Sequence, residues 1–182
     1  MTTDNLRQYI RQRRRQLGLG KQIKAAQQLV DVIVSCPAYR CSKSIALYLP
    51  NDGELDCRPL IRRAWRDGKR CYLPVLSEGI SMSFSLYQAG TELVSNRYKI
   101  LEPASKAIIA PQKLDLVIVP LVAFDRQANR IGMGGGYYDR AFAFHQAEVG
   151  KPYLLGVAHQ LQYVDSIQPQ SWDVALDDVI SV

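Results

Sequence analysis

The segment LDLVIVPLVAF, residues 114–124, decides how the fold is interpreted. It is apolar almost throughout, and strands of that composition are typical of parallel sheets that are covered on both faces. Shorter segments with strand composition lie on either side of it along the chain, and segments with a 3.6-residue apolar repeat separate them. This alternation predicts an α/β fold, with a mostly parallel central sheet between layers of helices.

Caps and turn residues place the boundaries of the predicted elements. Helices are predicted from about Asn5, from Lys21 to Val34, after the cap at Asp56 and from about Tyr137. Strands are predicted at 44–49, 70–75, 80–87, 114–124, 153–158 and 178–182. In the second helix, Ile23 belongs to the apolar stripe that we expect to face the core.

The length and composition are those of a single globular domain spanning residues 1–182. Apolar residues make up 47% of the chain and charged residues 22%, which excludes a wholly disordered chain, a collagen and a coiled coil. A membrane-spanning helix needs about 20 apolar residues, and the longest apolar run is much shorter, so we expect no membrane partner.

The four cysteines, at positions 36, 41, 57 and 71, contain no C-x-x-C pair. We interpret them as reduced thiols of a cytoplasmic protein rather than as a disulfide framework or a zinc site. The N-terminal segment lacks the apolar stretch of a secretory signal and passes directly into helical periodicity, so we expect it to be a structural part of the domain.

The positive charge of the chain is concentrated at its N-terminus. The net charge is +6, and residues 1–24 hold seven basic side chains against the single acidic side chain of Asp4. The remainder is therefore balanced, which favours one cationic element placed over an anionic ligand rather than a uniformly basic nucleic-acid-binding surface. Helical spacing puts Arg7, Arg11, Arg14 and Arg15 on one face, which we expect to present a row of guanidinium groups.

The motif RIGMGGGYYDR, residues 130–140, follows the most buried predicted strand and begins a predicted helix. That position is the crevice at the carboxyl ends of parallel strands, where ligands bind in such folds. Its glycines leave backbone amides uncovered and permit positive φ, so the segment can form an anion-binding nest helped by the helix N-terminus. Arg130 adds a phosphate partner and Asp139 a ligand for a hard metal ion. The alternative is a flexible glycine-rich turn; the motif matches neither a Walker loop nor G-x-G-x-x-G.

Together with PLVAFD at 120–125, this motif resembles the signature of the 5-formyltetrahydrofolate cyclo-ligase family, also called methenyltetrahydrofolate synthetases. Other segments are similar to the family as well: LRQYIRQRRRQL at 6–17, ALYLPNDGELD at 46–56, GKRCYLPVL at 68–76 and ILEP at 100–103. The resemblance covers nearly the whole chain. It implies a three-layer sandwich with a mostly parallel central sheet, similar to the sugar-phosphate isomerase and CoA transferase folds.

The activity that the resemblance implies is an ATP-dependent ring closure. 5-Formyltetrahydrofolate becomes 5,10-methenyltetrahydrofolate with release of ADP and phosphate, through phosphorylation of the formyl oxygen and attack by the neighbouring folate amine. Positioning and charge around the phosphoryl group would supply the catalysis. We expect ATP as co-substrate, Mg²⁺, a monomer and no nucleic-acid partner; that the cationic helix binds a polyglutamate tail of the folate is a hypothesis.

Position by position, the resemblance implies three sets of site residues. The nucleotide-binding set is Thr3, Arg7, Arg11, Arg130, Gly132, Met133, Gly134, Gly135, Gly136, Tyr137 and Tyr138. The folate-binding set is Arg7, Leu49, Glu54, Met133, Gly134, Gly135, Gly136 and Tyr137, and catalysis is assigned to Arg130 and Tyr137. The metal-binding set is Asp139 and Asp177, with Asp173 and Asp178 as alternatives to Asp177. Tyr48 and Trp65 are expected to be core residues.

The chain departs from the family pattern at one place where many relatives carry a cation and at two loop positions where some relatives do. Thr3 replaces a lysine, and Met133 and Gly135 replace two basic residues of the loop. Either the backbone amides alone hold the phosphates or another cation compensates; the candidates are Arg130, Arg140, Arg11 and Lys99. Two alternative functions remain: a sugar-phosphate isomerase that needs no ATP, and a nucleic-acid-binding module that uses the arginine row.

Overall fold

The computed structural model describes residues 2–77, 79–105, 107–146 and 152–182. The helices in these ranges are α1 Thr3–Arg15, α2 Leu19–Ser35, α3 Pro37–Cys41, α4 Arg58–Arg66 and α5 Tyr137–Ala141. The strands are β1 Ser44–Ala46, β2 Arg70–Leu76, β3 Met82–Tyr87, β4 Leu93–Ser95, β5 Leu101–Pro103, β6 Ile108–Ile109, β7 Leu116–Pro120, β8 Ala123–Phe124, β9 Arg130–Ile131, β10 Tyr153–Ala158 and β11 Asp178–Ser181. No helix in the described ranges is long and apolar enough to cross a membrane.

A seven-stranded sheet in the order β11-β10-β7-β1-β2-β3-β6 forms the centre of the fold. The five strands from β11 to β2 are parallel, and β3 pairs antiparallel with both β2 and β6. Because the middle strands run parallel, β1, β2 and β7 end at the same edge of the sheet, which we call the carboxyl edge. The predicted α/β fold with a mostly parallel central sheet is confirmed.

Alternate residues of the central strand β7 are buried on opposite faces of the sheet. Leu116 and Ile118 belong to a core with α2 and α4, while Val117 and Val119 belong to a second core with Phe142, which follows α5. Each of these five side chains is at most 1% exposed. This two-sided burial explains why the sequence around β7 is continuously apolar instead of alternating.

The predicted strand 114–124 is divided at Pro120, where β7 ends. Proline has no amide hydrogen to continue a ladder, and the chain turns into β8, which pairs antiparallel with β9. The Val122 amide donates to the Ile131 carbonyl at 2.7 Å. Neither this hairpin nor the β4–β5 hairpin was predicted.

The prediction that Ile23 of α2 faces the core is wrong, since its side chain is 62% exposed.

Helix α1 packs across the β8–β9 hairpin through Ile10, which contacts a small core with Val122, Ala123, Ile131 and Ile167. The Thr2 hydroxyl caps the helix by accepting from the Asn5 amide at 3.3 Å. The amphipathic pattern therefore predicted the helix correctly, within two residues of its start.

The arginine row of α1 is held by the carboxylate of Asp52, in the loop after β1. Arg11 Nε lies 2.6 Å and Arg14 Nη2 3.1 Å from Asp52 Oδ2, and Arg15 pairs with Oδ1. Arg14 is fully buried, and its Nε also donates to the Asp52 carbonyl at 2.9 Å. The expectation that the whole row is presented outward is therefore wrong at Arg14. Helix and loop approach so closely that a Cβ on Gly53 would lie 3.2 Å from the Arg14 carbonyl oxygen.

His159, beside α1, should make the stability depend on pH. It is 4% exposed, and its Nε2 has no hydrogen-bond partner within the described part of the chain. Burial, and then the charge of Arg14, lower the pKa of the imidazole. The unfolded chain thus takes up a proton at higher pH than the folded chain, so the free energy of unfolding should fall as the pH drops below about 6.5.

Urea unfolding from about pH 7.5 to about pH 5 measures this dependence. In His159→Gln the free energy of unfolding should decline less steeply over that range, because a neutral side chain takes up no proton. Parallel curves for the two proteins would exclude His159 as a source of the decline.

Candidate functional site

A cavity of about 570 Å³ opens at the carboxyl edge of the sheet. Part of its wall is apolar and comes from the strand ends and the β4–β5 hairpin, with Leu49, Leu73, Leu76, Met82 and Ile100. Another part is the glycine-rich segment 132–136, which we call the glycine loop. Apolar walls with a few polar groups that fix orientation are typical of small-molecule sites.

Most residues of the predicted site line this cavity. They are Arg11, Leu49, Glu54, Arg130, Gly132, Met133, Gly135, Gly136, Tyr137, Tyr138 and Asp139. Arg7 and Gly134 lie beside the lining: Arg7 Nε donates to the Gly132 carbonyl at 2.9 Å, and a Cβ on Gly134 would lie 3.8 Å from the Arg7 guanidinium carbon. Thr3 is exposed in the first turn of α1 and Asp177 lies elsewhere, so neither is part of the lining.

The glycine loop adopts the backbone conformation that its sequence predicts. Gly134 and Gly136 have φ of +97° and +61°, in the region that favours glycine. A Cβ on Gly135 would stand 2.8 Å from the ring of Tyr137, so that ring can fold back over the loop only because position 135 is glycine. The helix predicted from Tyr137 is the five-residue α5, so an anion here depends on loop amides more than on a helix dipole.

Arg130 and Asp139 form an ion pair where the loop enters α5. Their side chains are 8% and 21% exposed. Asp139 Oδ1 accepts from Arg130 and from the Val174 amide, the latter at 3.1 Å, while Oδ2 takes part in neither bond. Nucleotide-bound Mg²⁺ typically uses one or two protein carboxylates besides phosphate oxygens. The carboxylate of Asp139, which lines the cavity beside the glycine loop, fits that donor set.

Asp177 lies at the other end of the parallel strands, just before β11. Its Oδ2 accepts from the Leu154 amide at 2.6 Å and lies 3.6 Å from His145 Nε2. The structure does not bring it to Asp139, and a metal role for Asp177 stays a prediction. Asp173 precedes Val174, whose amide contacts Asp139. Within the described residues, no three or more His, Cys, Asp or Glu side chains are grouped to hold a metal ion.

Glu54 lies in the turn that carries Asp52. Its Oε2 accepts from the Asn51 amide at 3.0 Å. Burial raises the pKa of the Glu54 carboxyl, and the charge of Arg14 opposes that rise. Tyr48 is a core residue, as predicted, at 4% exposed, and it also lines the cavity. The carboxyl of Glu54 therefore belongs to the same cavity lining as the Tyr48 ring and the apolar wall.

The β4–β5 hairpin supplies a group of residues that sequence reasoning missed. The Arg97 guanidinium donates to the Tyr137 hydroxyl and to the Gly79 carbonyl. The Tyr98 hydroxyl lies 3.0 Å from that of Tyr137, and both rings line the cavity. The hydrogen bond with Tyr98, and then the contact with Arg97, lower the pKa of the Tyr137 hydroxyl. Lys99, one of the predicted compensating cations, does not line the cavity.

Along its whole length the chain is similar to proteins of one family. Residues 2–182 match the family model of the 5-formyltetrahydrofolate cyclo-ligase family. The 5-formyltetrahydrofolate cyclo-ligase of Escherichia coli K12 is 41% identical over 177 residues, covering 94% of this chain and 96% of that protein. The Haemophilus influenzae protein of the same name is 35% identical, covering 96% and 95%. The NMR structure of Aquifex aeolicus 5,10-methenyltetrahydrofolate synthetase superposes with a TM-score of 0.86 at 29% identity, over 100% of this chain and 90% of that one.

Proposed function

Because the chain belongs to the 5-formyltetrahydrofolate cyclo-ligase family, we propose that it converts 5-formyltetrahydrofolate to 5,10-methenyltetrahydrofolate with ATP as co-substrate. The observation that carries the proposal is the glycine loop, whose bare backbone borders a cavity with an apolar wall. Uncovered amides suit a phosphate chain, and the apolar wall suits an aromatic ring system.

The nucleotide occupies the loop side of the cavity in this proposal. Amides of the glycine loop and Tyr138 contact the phosphates, with Thr3, Arg7 and Arg11 on the α1 side. The folate lies against Leu49, with the backbone of 133–137 between the two ligands. The Glu54 carboxylate accepts hydrogen bonds from the amino groups of the pterin ring. This arrangement is supported by the cavity, which has the loop, Leu49 and Glu54 in one lining.

The formyl oxygen is phosphorylated in this proposal because a formamide oxygen is by itself a poor leaving group. The formyl oxygen attacks the γ-phosphorus, and the bond from that phosphorus to the ADP oxygen breaks. The neighbouring folate nitrogen then attacks the formyl carbon and loses its proton. The carbon–oxygen bond breaks last and releases phosphate, which carries away the former formyl oxygen. No protein nucleophile takes part.

Catalysis then depends on alignment and on charge around the transferred group. Arg130 provides a guanidinium whose direction is fixed by Asp139, and Tyr137 provides a hydroxyl at the cavity lining. Asp139 would hold a Mg²⁺ ion brought with the nucleotide, and such an ion neutralises phosphate charge. Arg130 thus provides a positive charge for the phosphoryl group, and Asp139 provides a negative charge for the Mg²⁺ ion.

An isotope experiment tests the proposal. The protein is incubated with MgATP and 5-formyltetrahydrofolate that carries ¹⁸O in the formyl group, and methenyl absorbance, ADP and phosphate are followed. Equal amounts of ADP and methenyl product are expected, with the label in inorganic phosphate. Turnover without ATP would contradict ATP dependence, and unlabelled phosphate would contradict phosphorylation of the formyl oxygen.

Glu54→Gln should act on folate rather than on nucleotide. Losing a charged acceptor costs about 2 kcal/mol, so the KM for 5-formyltetrahydrofolate should rise about thirtyfold. Steady-state kinetics with each substrate varied in turn measure this, and the KM for ATP should change by less than about twofold. An effect on ATP alone would remove Glu54 from the folate site.

A further inference from the structure

Side chains of the hairpin turn at 96–100 contact the hydroxyl of Tyr137, the residue that follows the glycine loop. Arg97 donates to this hydroxyl and stands 5.3 Å from the centre of the Tyr98 ring. The two tyrosine rings meet edge to face, with centroids 6.1 Å apart. Two side chains of the hairpin turn, Arg97 and Tyr98, therefore converge on the hydroxyl oxygen of Tyr137 at the cavity.

The hydrogen-bonding capacity of that oxygen is limited. A tyrosine hydroxyl has one proton to donate and two acceptor positions, and a guanidinium can only donate. Arg97 fills one acceptor position of Tyr137. The hydroxyls of Tyr98 and Tyr137 lie 3.0 Å apart and either can donate; when Tyr98 donates, it fills the other acceptor position. With both positions filled, the proton of Tyr137 is left for a third partner, and the open space beside this residue is the cavity.

The other cations near the loop have different partners. Arg130 pairs with Asp139 and Arg11 with Asp52. Arg140 donates to the carbonyls of Gly135 and Ile80 and reaches only the ring of Tyr137, 5.5 Å from its centre. Of these cations, Arg97 is thus the one whose guanidinium donates a hydrogen bond to the Tyr137 hydroxyl.

We propose that Arg97 is a positioning residue for phosphoryl transfer: together with Tyr98 it orients the Tyr137 hydroxyl so that this hydroxyl donates to an anionic phosphoryl oxygen of the nucleotide. This inference rests on the proposed function, because it needs a phosphoryl group at the glycine loop. Arg97 acts through Tyr137 and need not touch the substrate itself.

A double-mutant cycle separates action through Tyr137 from a general effect of charge. The single-turnover rate of methenyl formation is measured for wild type, Arg97→Met, Tyr137→Phe and the double variant. Arg97→Met should lower the rate about tenfold and Tyr137→Phe about a hundredfold. The double variant should be no slower than Tyr137→Phe, because Arg97 has nothing left to orient.

Two further variants control the cycle. Arg97→Lys keeps a cationic donor but loses the planar guanidinium that lies over the Tyr98 ring, so the rate should fall less than in Arg97→Met without reaching that of wild type. Arg66→Met removes an exposed guanidinium at the end of α4, away from the carboxyl edge, and should leave the rate unchanged. Thermal unfolding of every variant checks that the fold is retained.

Multiplicative losses in the double variant would overturn the proposal, since Arg97 would then act independently of Tyr137. Unchanged turnover in Arg97→Met would overturn it as well. If wild type does not turn over, the proposed function fails. Calorimetric titration of the same four proteins with MgATP then tests whether Arg97 acts through Tyr137. A weaker affinity for MgATP in Arg97→Met that disappears in the Tyr137→Phe background supports it, and equal losses in both backgrounds refute it.

Discussion

Replacement of Asp139 by alanine should lower the rate of methenyl formation about a hundredfold while the protein stays folded. Two functions are lost together: the carboxylate that we propose for Mg²⁺, and the acceptor that fixes the direction of Arg130. Turnover is measured at saturating folate with Mg²⁺ varied at constant ATP. The magnesium concentration for half-maximal rate should rise along with the loss of rate.

A second variant guards against misfolding as the cause. Asp139→Asn keeps an oxygen that can accept from the Val174 amide but removes the charge, and it should lose most of the activity too. Asp165→Ala, an exposed carboxylate outside the cavity lining, is the matched control. Activity within twofold of wild type in Asp139→Ala would remove this residue from the site.

Replacement of Asp52 by alanine should destabilise the folded protein by about 3 kcal/mol, since it leaves the buried guanidinium of Arg14 without its counter-charge. Burial acts to raise the pKa of Asp52, but the hydrogen bonds from Arg15 and Arg11 outweigh it and lower that pKa. The stabilisation by this carboxylate is therefore present at neutral pH and is lost as the pH falls through its lowered pKa. Urea unfolding at neutral pH measures the expected loss.

Arg15→Ala provides a comparison on the same carboxylate. The Arg15 side chain is 56% exposed, and removing it leaves Arg11 and Arg14 in place, so the cost should be below about 1 kcal/mol. Equal destabilisation by both substitutions would contradict the view that burial of Arg14 gives Asp52 its importance.

The sequence predicted the sheet and the glycine loop because both depend on local patterns. The continuous apolar run at β7 reflects burial of the strand on two faces. The positive φ at Gly134 and Gly136 is a conformation that glycine adopts readily because it has no Cβ. The ion pair of Arg130 with Asp139 also joins residues within one motif. Each of these features lies within a stretch of about ten residues.

Features that depend on contacts between distant segments were not predictable. Nothing in an isolated arginine marks Arg97 as a partner of Tyr137, forty positions away. Arg14 belongs to a helical row that looks solvated, and only the approach of the Asp52 loop shows that it is buried. The β8–β9 hairpin likewise depends on where the chain goes after Pro120, and the metal-binding role of Asp177 is implied by the resemblance alone.

The packing of α1 sets the order in which the protein can be completed on the ribosome. This helix is synthesised before the residues that Ile10 contacts, which include Ile131 and Ile167. Arg11 and Arg14 can meet Asp52 early, whereas the buried residues that cluster with Ile10 all lie beyond residue 121. Non-local contacts of this kind form late, so the nascent chain should acquire its ligand site only after Ile131 and Ile167 have left the ribosome.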